Sequence, residues 1–270
     1  MPEKIVTKGL VLRETQTKEA DKILTVLTAE QGRLAVVARG ARRKNSKIAA
    51  ASQLLAYSEL VLYEQRGWMM LDEASTLSLW DNVRRDVERL ALASYFAEMA
   101  EAVTGEGEGA EETLALLLNA LYALDTLDKP PEQVKAAYEL KLLSLAGYEP
   151  LLSDCAVCGR TAPEEPLFDV GQGVVLCRSC APSALSLLPL DAGSLAAMRH
   201  VVNNERRRML SFKLSGETMR RFSRACESFA RVQLERDFRT LDFYKSLRLP
   251  GESGEIDNNQ QLSTKDIRSV

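Results

Sequence analysis

The sequence predicts an α+β protein: a small N-terminal β-barrel, then an all-helical domain that carries a four-cysteine module. Three observations carry that reading. Residues 4–71 hold five short apolar runs separated by turn residues, the pattern of a small all-β unit. From Asp81 onward apolar positions recur at helical spacing (Val83, Val87, Leu90, Ala91, Tyr95, Met99). Between Pro150 and Pro182, two C-x-x-C pairs, Cys155/Cys158 and Cys177/Cys180, enclose the eighteen residues 159–176, a spacing that fits a four-thiolate zinc site.

The barrel elements follow in order. Residues 4–14 alternate and then run apolar (Ile5, Val6, Leu10, Val11, Leu12), as a half-buried strand does. Thr15–Ala20 is polar and reads as a loop, and Lys22–Thr28 as the second strand. Ala29-Glu30-Gln31-Gly32 has hairpin length, with Gly32 free to take positive φ. Arg33–Ala38 is the third strand, residues 39–47 a basic loop, and Ile48–Leu55 a short Ala-rich helix. Leu60–Tyr63 and Met69–Leu71 supply two more strands across Glu64–Gly67. Five strands with a helical piece between the third and fourth suit a small Greek-key barrel such as the OB-fold. The expected unit is residues 1–80.

The helical domain is expected over residues 81–250. Its first helix runs from Asp81 to Val103, capped by Asp81 or Asn82. A Gly-rich stretch, Gly105–Gly109, reads as a flexible loop. Thr113–Leu127 is apolar on more than one face, as the central helix of a bundle is. Lys129-Pro130-Pro131 breaks it, and Glu132–Ala146 is the next helix, ended by Gly147. The cysteine module occupies residues 150–182. Helical patterns return at Ala192–Asn203 and Gly216–Asp237, and Leu241–Leu249 closes the ordered part. Residues 251–270 have almost no bulky apolar side chains and read as a disordered tail.

At 270 residues, 46% hydrophobic and 27% charged, the composition is that of a globular protein. No apolar run reaches the roughly 18 residues of a membrane span. The start, MPEKIVTKGLVLRE, has no apolar h-region, so it is no secretory signal and a cytosolic, reducing compartment is expected. There a cysteine quartet binds metal more often than it forms disulfides or redox dithiols. Cys155, Cys158, Cys177 and Cys180 would hold one structural Zn²⁺ in a closed sulfur shell with no open position for water or substrate. Cys226, on a helical pattern, reads as a small core residue.

The net charge of −3 hides an asymmetry. Residues 31–50 carry six cations and no acid, and residues 199–224 carry eight cations against two acids. Arg39, Arg42, Arg43, Lys44 and Lys47 crowd into one loop at a strand end, where small barrels hold oligonucleotides. They would neutralise phosphates with strongly salt-dependent affinity; a solvated charged loop is the alternative. Tyr57, Tyr63 and Trp68 offer base stacking, or packing at the barrel core and rim. In the second basic region Arg220, Arg221 and Arg224 share a helix face, open to DNA, to an acidic ligand or simply to water. Enzymatic signals are scarce: one histidine, His200, no nucleophile elbow and no phosphate-binding G-x-x-x-x-G-K-[ST] loop.

The segment GLVLRETQTKEADKILTVLTAEQGRLAVVARGARRKNSK resembles the opening of the bacterial RecO family of DNA repair proteins. The similarity runs on through SELVLYEQRG to GYEPLLSDCAVCG…CRSC, roughly residues 4–248. The resemblance implies an N-terminal OB-fold, a C-terminal helical domain and, in members that keep the cysteines, a zinc module. It implies a recombination mediator without catalytic turnover that binds single- and double-stranded DNA and anneals complementary strands. With RecR, and in some settings RecF, such a mediator helps load RecA onto DNA coated by single-stranded-DNA-binding protein. It also implies binding of that coat protein's acidic C-terminal tail by the helical domain, and a cytoplasmic location, on the nucleoid when DNA-bound. By similarity the DNA-contacting candidates are Arg39, Arg42, Arg43, Lys44 and Lys47. A zinc-stabilised adaptor without nucleic-acid binding is the alternative of a different class.

Overall fold

A computed structural model describes residues 3–182 and 187–248; the tail expected to be disordered, residues 251–270, lies outside the described residues. Five strands close a barrel: β1 (Lys4–Thr17), β2 (Asp21–Thr28), β3 (Gly32–Ala38), β4 (Tyr57–Gln65) and β5 (Trp68–Ser78), in the order β1-β2-β3-β5-β4. All pairings are antiparallel except β3 with β5, which is the closure of an OB-fold. Val11, Leu24, Val26, Val36, Leu60 and Leu62 fill its interior.

The strands outrun the apolar segments that announce them. β1 continues through the polar Thr15-Gln16-Thr17, paired with Ile23, Lys22 and Asp21, because ladder hydrogen bonds need no apolar side chain. The expected loop therefore shrinks to Lys18-Glu19-Ala20. The expected helix over Ile48–Leu55 is not formed. That stretch is a run of turns, tied to its neighbours by Leu55 N–H to Val11 O (2.8 Å), Val11 N–H to Ala56 O (3.1 Å) and Lys22 Nζ to Ser52 O (3.0 Å). These tertiary bonds override a weak local preference for helix.

Seven helices follow among the described residues: α1 (Asp81–Arg85), α2 (Val87–Val103), α3 (Glu111–Thr126), α4 (Pro131–Leu145), α5 (Ala192–Asn203), α6 (Gly216–Gln233) and α7 (Arg239–Leu247). The single helix expected from Asp81 to Val103 is broken at Asp86, whose carboxylate accepts the Glu88 and Arg89 N–H groups (2.9 and 3.1 Å) and so restarts the chain as α2. Neither Asp81 nor Asn82 caps α1. Its free N–H groups at Asn82 and Val83 donate to Asp125 of α3 (2.9 and 3.1 Å), a partner that no local pattern reveals. Cys226 is fully buried on α6, as expected.

One core joins barrel and helices. Leu10, Leu12, Leu27 and Leu55 turn away from the barrel interior and pack with Tyr95, Phe96 and Met99 of α2. This explains why β1 runs apolar rather than alternating: both its faces are covered. The Gly-rich stretch before α3 is not loose. Gly105 O accepts from Arg33 N (3.0 Å), Gln31 O from Gly107 N (3.1 Å) and Ala29 O from Ala110 N (2.8 Å). Gly32 sits at φ +61° against this stretch, where a Cβ would lie 2.3 Å from Glu108 O; no other residue fits. Arg13 completes the junction by gripping the Glu101 carboxylate (3.0 Å).

The cysteine module is built on a small sheet, with one 3-10 turn at Arg178–Cys180. β6 (Leu167–Asp169), β7 (Val174–Leu176) and β8 (Leu188–Pro189) form a three-stranded sheet in the order β7-β6-β8. Phe168 and Val175 of this sheet belong to the main core, with Phe168 edge-on to Phe229 of α6 at 5.4 Å between centroids.

A candidate nucleic-acid interface and a candidate metal centre

The basic loop leaves the barrel at the end of β3 and is held against the β1–β2 turn. The Gly40 N–H donates to the Asp21 carboxylate at 2.7 Å. Arg42 donates its backbone N–H to Ala20 O (2.9 Å) and its guanidinium to Glu19 O (3.3 Å). Internal bonds from Arg43 N to Gly40 O and from Ser46 N to Arg43 O, both 3.0 Å, complete a turn. Gly40, at φ +67°, permits the reversal. Arg39, Arg42, Arg43, Lys44 and Lys47 are all exposed, and none makes an ion pair among the described residues. The loop thus presents five uncompensated charges on a braced backbone.

Arg39 also lines a cleft of about 540 Å³ on the barrel face, with Lys18, Arg66, Trp68 and Met70. Of the three aromatics read as base-stacking or packing residues, Trp68 is the exposed one, at 54%. Tyr57 packs against the helical core, where burial, helped by Glu30, pushes its hydroxyl pKa up. Tyr63 is half-buried on β4 opposite Met70 of β5. Lys18 and Arg66 were not apparent as site residues from the sequence. Each is a turn residue at positive φ (50° and 54°), and Arg66-Gly67 forms a two-residue hairpin with both φ values positive, as a type I′ turn requires. Barrel closure, not chain proximity, brings them beside Arg39.

The four module cysteines converge. All four sulfurs lie within 4.8 Å of one another, and Cys158 Sγ to Cys177 Sγ is 3.8 Å. A tetrahedron with Zn–S bonds of about 2.3 Å has edges of about 3.8 Å, so the donor set and its spacing fit a zinc ion. None is in a disulfide. Burial raises the Cys155 thiol, but backbone N–H groups of Cys158, Cys177 and Val157 outweigh it and bring it down to about 6, while burial pushes the Cys177 thiol up and the neighbouring Cys158 pushes Cys180 up to about 11; one thiolate among neutral thiols is the arrangement of the metal-free quartet. Gly159 follows at φ +70°, closing the first knuckle with its N–H on Cys155 O (2.9 Å). Arg199 of α5 staples the module down through Leu152, Ser153 and Thr161 carbonyls (2.7, 2.9 and 2.9 Å).

The second basic region divides. Arg206 is paired with Glu112 (2.7 Å), and Arg199 is occupied by the module. Arg220, Arg221 and Arg224 line one cleft of about 540 Å³ with Lys245 and Arg248. His200 bonds Arg208 O (2.9 Å) and Ser211 Oγ (3.1 Å) and meets Phe212 edge-on, holding the α5–α6 connection. No helix among the described residues is long and apolar enough to cross a membrane.

Two sequence families match the chain: "Recombination protein O N terminal" over residues 1–80 and "Recombination protein O C terminal" over residues 84–242. Proteins named DNA repair protein RecO are similar over most of their length. That of Acetivibrio thermocellus is 31% identical over 89% of this chain and 96% of its own. That of Symbiobacterium thermophilum is 33% identical over the same shares, and that of a Thermoanaerobacter species 28% identical over 90% and 97%.

Proposed function

The chain belongs to the recombination protein O family, with a role in DNA repair and recombination, and on that premise we propose that it is a non-enzymatic, DNA-binding recombination mediator. In this reading it binds single- and double-stranded DNA, anneals complementary strands and, with RecR and in some settings RecF, helps load RecA onto DNA coated by single-stranded-DNA-binding protein. The work is cytoplasmic, at the nucleoid when the protein is on DNA. The observation that carries the reading is the braced loop of five exposed, unpaired cations beside the Trp68 cleft.

The mechanism is electrostatic. Two strands approach each other against phosphate repulsion. Arg39, Arg42, Arg43, Lys44 and Lys47 screen that repulsion and release counterions. Trp68 offers a ring face to an unstacked base, and Lys18 and Arg66 extend the positive field along the cleft. Because the loop is held by Asp21 and the β1–β2 turn, little ordering is left to be done on binding.

Cys155, Cys158, Cys177 and Cys180 hold one zinc ion, which supplies folding energy and no catalysis. Among the described residues the module has a small core of its own, Cys155, Leu176 and Cys177 being buried together. The cleft of Arg220, Arg221 and Arg224 is a concave cationic surface on the helices and suits an acidic peptide such as the tail of the coat protein. A strand-annealing assay on DNA coated with the cognate single-stranded-DNA-binding protein tests the proposal. Faster annealing on the coated strands than without the protein is expected; no acceleration contradicts it.

A further inference from the structure

A cleft of about 640 Å³ lies where the barrel meets the helices. Four arginines line it: Arg13 of β1, Arg33 of β3, and Arg236 and Arg239 where α6 passes into α7. Three acids share the wall, and each is engaged. Glu101 takes Arg13 (3.0 Å), Glu98 takes Arg236 (3.4 Å) and Glu14 faces Lys22 (2.7 Å). These pairs orient the guanidinium groups without using up their donors. Arg13 commits Nε and Nη2 to one carboxylate, which leaves N–H bonds free on a planar, permanently charged group; its side chain is 59% exposed. Arg33 gives one N–H to Glu101 O (2.9 Å) and lies 3.6 Å from the exposed Glu106 carboxylate. Arg239 is exposed and forms no ion pair among the described residues.

Strand register joins this cleft to the basic loop. Val36 and Ala38 of β3 point into the barrel, so Arg33, Ala35, Val37 and Arg39 stand on its outer face. Across that face Arg13 lies beside Thr25 and Ala35, and Thr15 beside Ile23 and Val37. Ile23 and Val37 in turn line the Trp68 cleft with Arg39. Met70 pairs with Val37, which sets Trp68, two residues back along the parallel β5, toward Ala35. From Arg39 to Arg33 the strand covers about 20 Å, at about 3.3 Å per residue. The floor between them is Thr15, Ile23, Thr25, Ala35 and Val37, with no carboxylate. A polyanion crossing this face meets cations at both ends and an exposed ring on the way.

We propose that Arg13, Arg33, Arg236 and Arg239 form a second phosphate-binding site for single-stranded DNA, reached from the basic loop across the outer face of β1, β2 and β3. The proposal rests on the reading of that loop as a DNA site and extends it to the junction with the helices. A strand long enough to reach both clusters gains contacts that a short one does not, and each phosphate contact adds about 0.7 to the slope of log affinity against log salt.

The test titrates fluorescent oligothymidylates of about 4 and about 16 nucleotides against the full chain and against Arg239→Glu, at several salt concentrations. Arg239 is exposed, so the fold should hold, and an unchanged melting temperature checks it. The longer oligonucleotide is expected to lose roughly tenfold in affinity at about 50 mM salt and about 0.7 from its salt slope. The shorter one, held at the loop, is expected to be nearly unchanged. If the longer oligonucleotide binds both proteins equally, the proposal is overturned and the loop reading stands. An equal loss at both lengths traces the effect to net charge, not to a second site, and also overturns the proposal. A full chain that binds neither length overturns the proposal and the loop reading together.

Discussion

Lys135 and Glu139 form an ion pair of 2.9 Å sealed inside the helical core, at 3% and 0% side-chain exposure. Glu227 of α6 closes on the same ammonium at 2.8 Å, and Tyr95 donates its hydroxyl to Glu139 at 2.8 Å. Removing the Lys135 ammonium leaves the buried Glu139 carboxylate with no cation, beside a Glu227 that keeps only Lys245. Lys135→Met is therefore expected to cost about 3–5 kcal/mol, read from urea denaturation. The cluster also sets an acid limit. Burial pushes the Glu227 carboxyl up, but Lys135 and Lys245 outweigh it and hold it at about 2, against an ordinary 4.5. A depressed native pKa means the ionised form favours the fold. Its contribution is complete above pH 4.5 and is lost as the pH falls toward 2. Glu139, raised by burial, takes up its proton more readily when folded and offsets part of that loss. Glu227→Gln should flatten the acid limb of a stability–pH curve; an unchanged limb assigns acid unfolding to other groups.

Trp68 is more than half exposed on the barrel face, so it adds little to the fold. Trp68→Ala should leave the melting temperature nearly unchanged. If a base stacks on the ring, the substitution costs about 1–3 kcal/mol of oligonucleotide binding. Trp68→Phe should recover most of it. Unaltered affinity in Trp68→Ala takes this ring out of the interface.

Metal analysis of the purified protein should find about one zinc per chain, lost when Cys155 and Cys177 are both replaced by Ser. Because Phe168 docks on Phe229, loss of the module uncovers α6. Chelation should lower the melting temperature and open residues 151–182 to protease, while the barrel keeps its affinity for oligonucleotide. A metal-free protein with the same melting temperature and protease pattern contradicts a structural zinc.

The sequence carried the architecture because its signals are local. The apolar runs of β2 and β3, helical spacing after Asp81 and the cysteine spacing each need only neighbouring residues. What it did not carry depends on closure. Asp125 caps α1 from 43 residues away, and the turns of residues 48–55 are dictated by Val11 and Lys22. At the candidate interface the clustered cations of residues 39–47 were legible as charge. Lys18 and Arg66 were not, since each stands among polar turn residues until the barrel brings β1, β3 and β5 together. Tyr57 and Trp68 look alike as sequence, and only the helices packed over Tyr57 separate them.

The central claim is that the loop after β3 holds DNA by its phosphates. The most direct measurement titrates a labelled single-stranded oligonucleotide at two salt concentrations, comparing the native protein with Arg42→Glu, Arg43→Glu and Lys44→Glu combined. These side chains are exposed, so folding should be unaffected. Each phosphate contact on a single strand contributes about 0.7 to the slope of log affinity against log salt. The triple variant should bind far more weakly at low salt and lose roughly 2 from that slope. The same affinity and the same slope in both proteins would contradict the account.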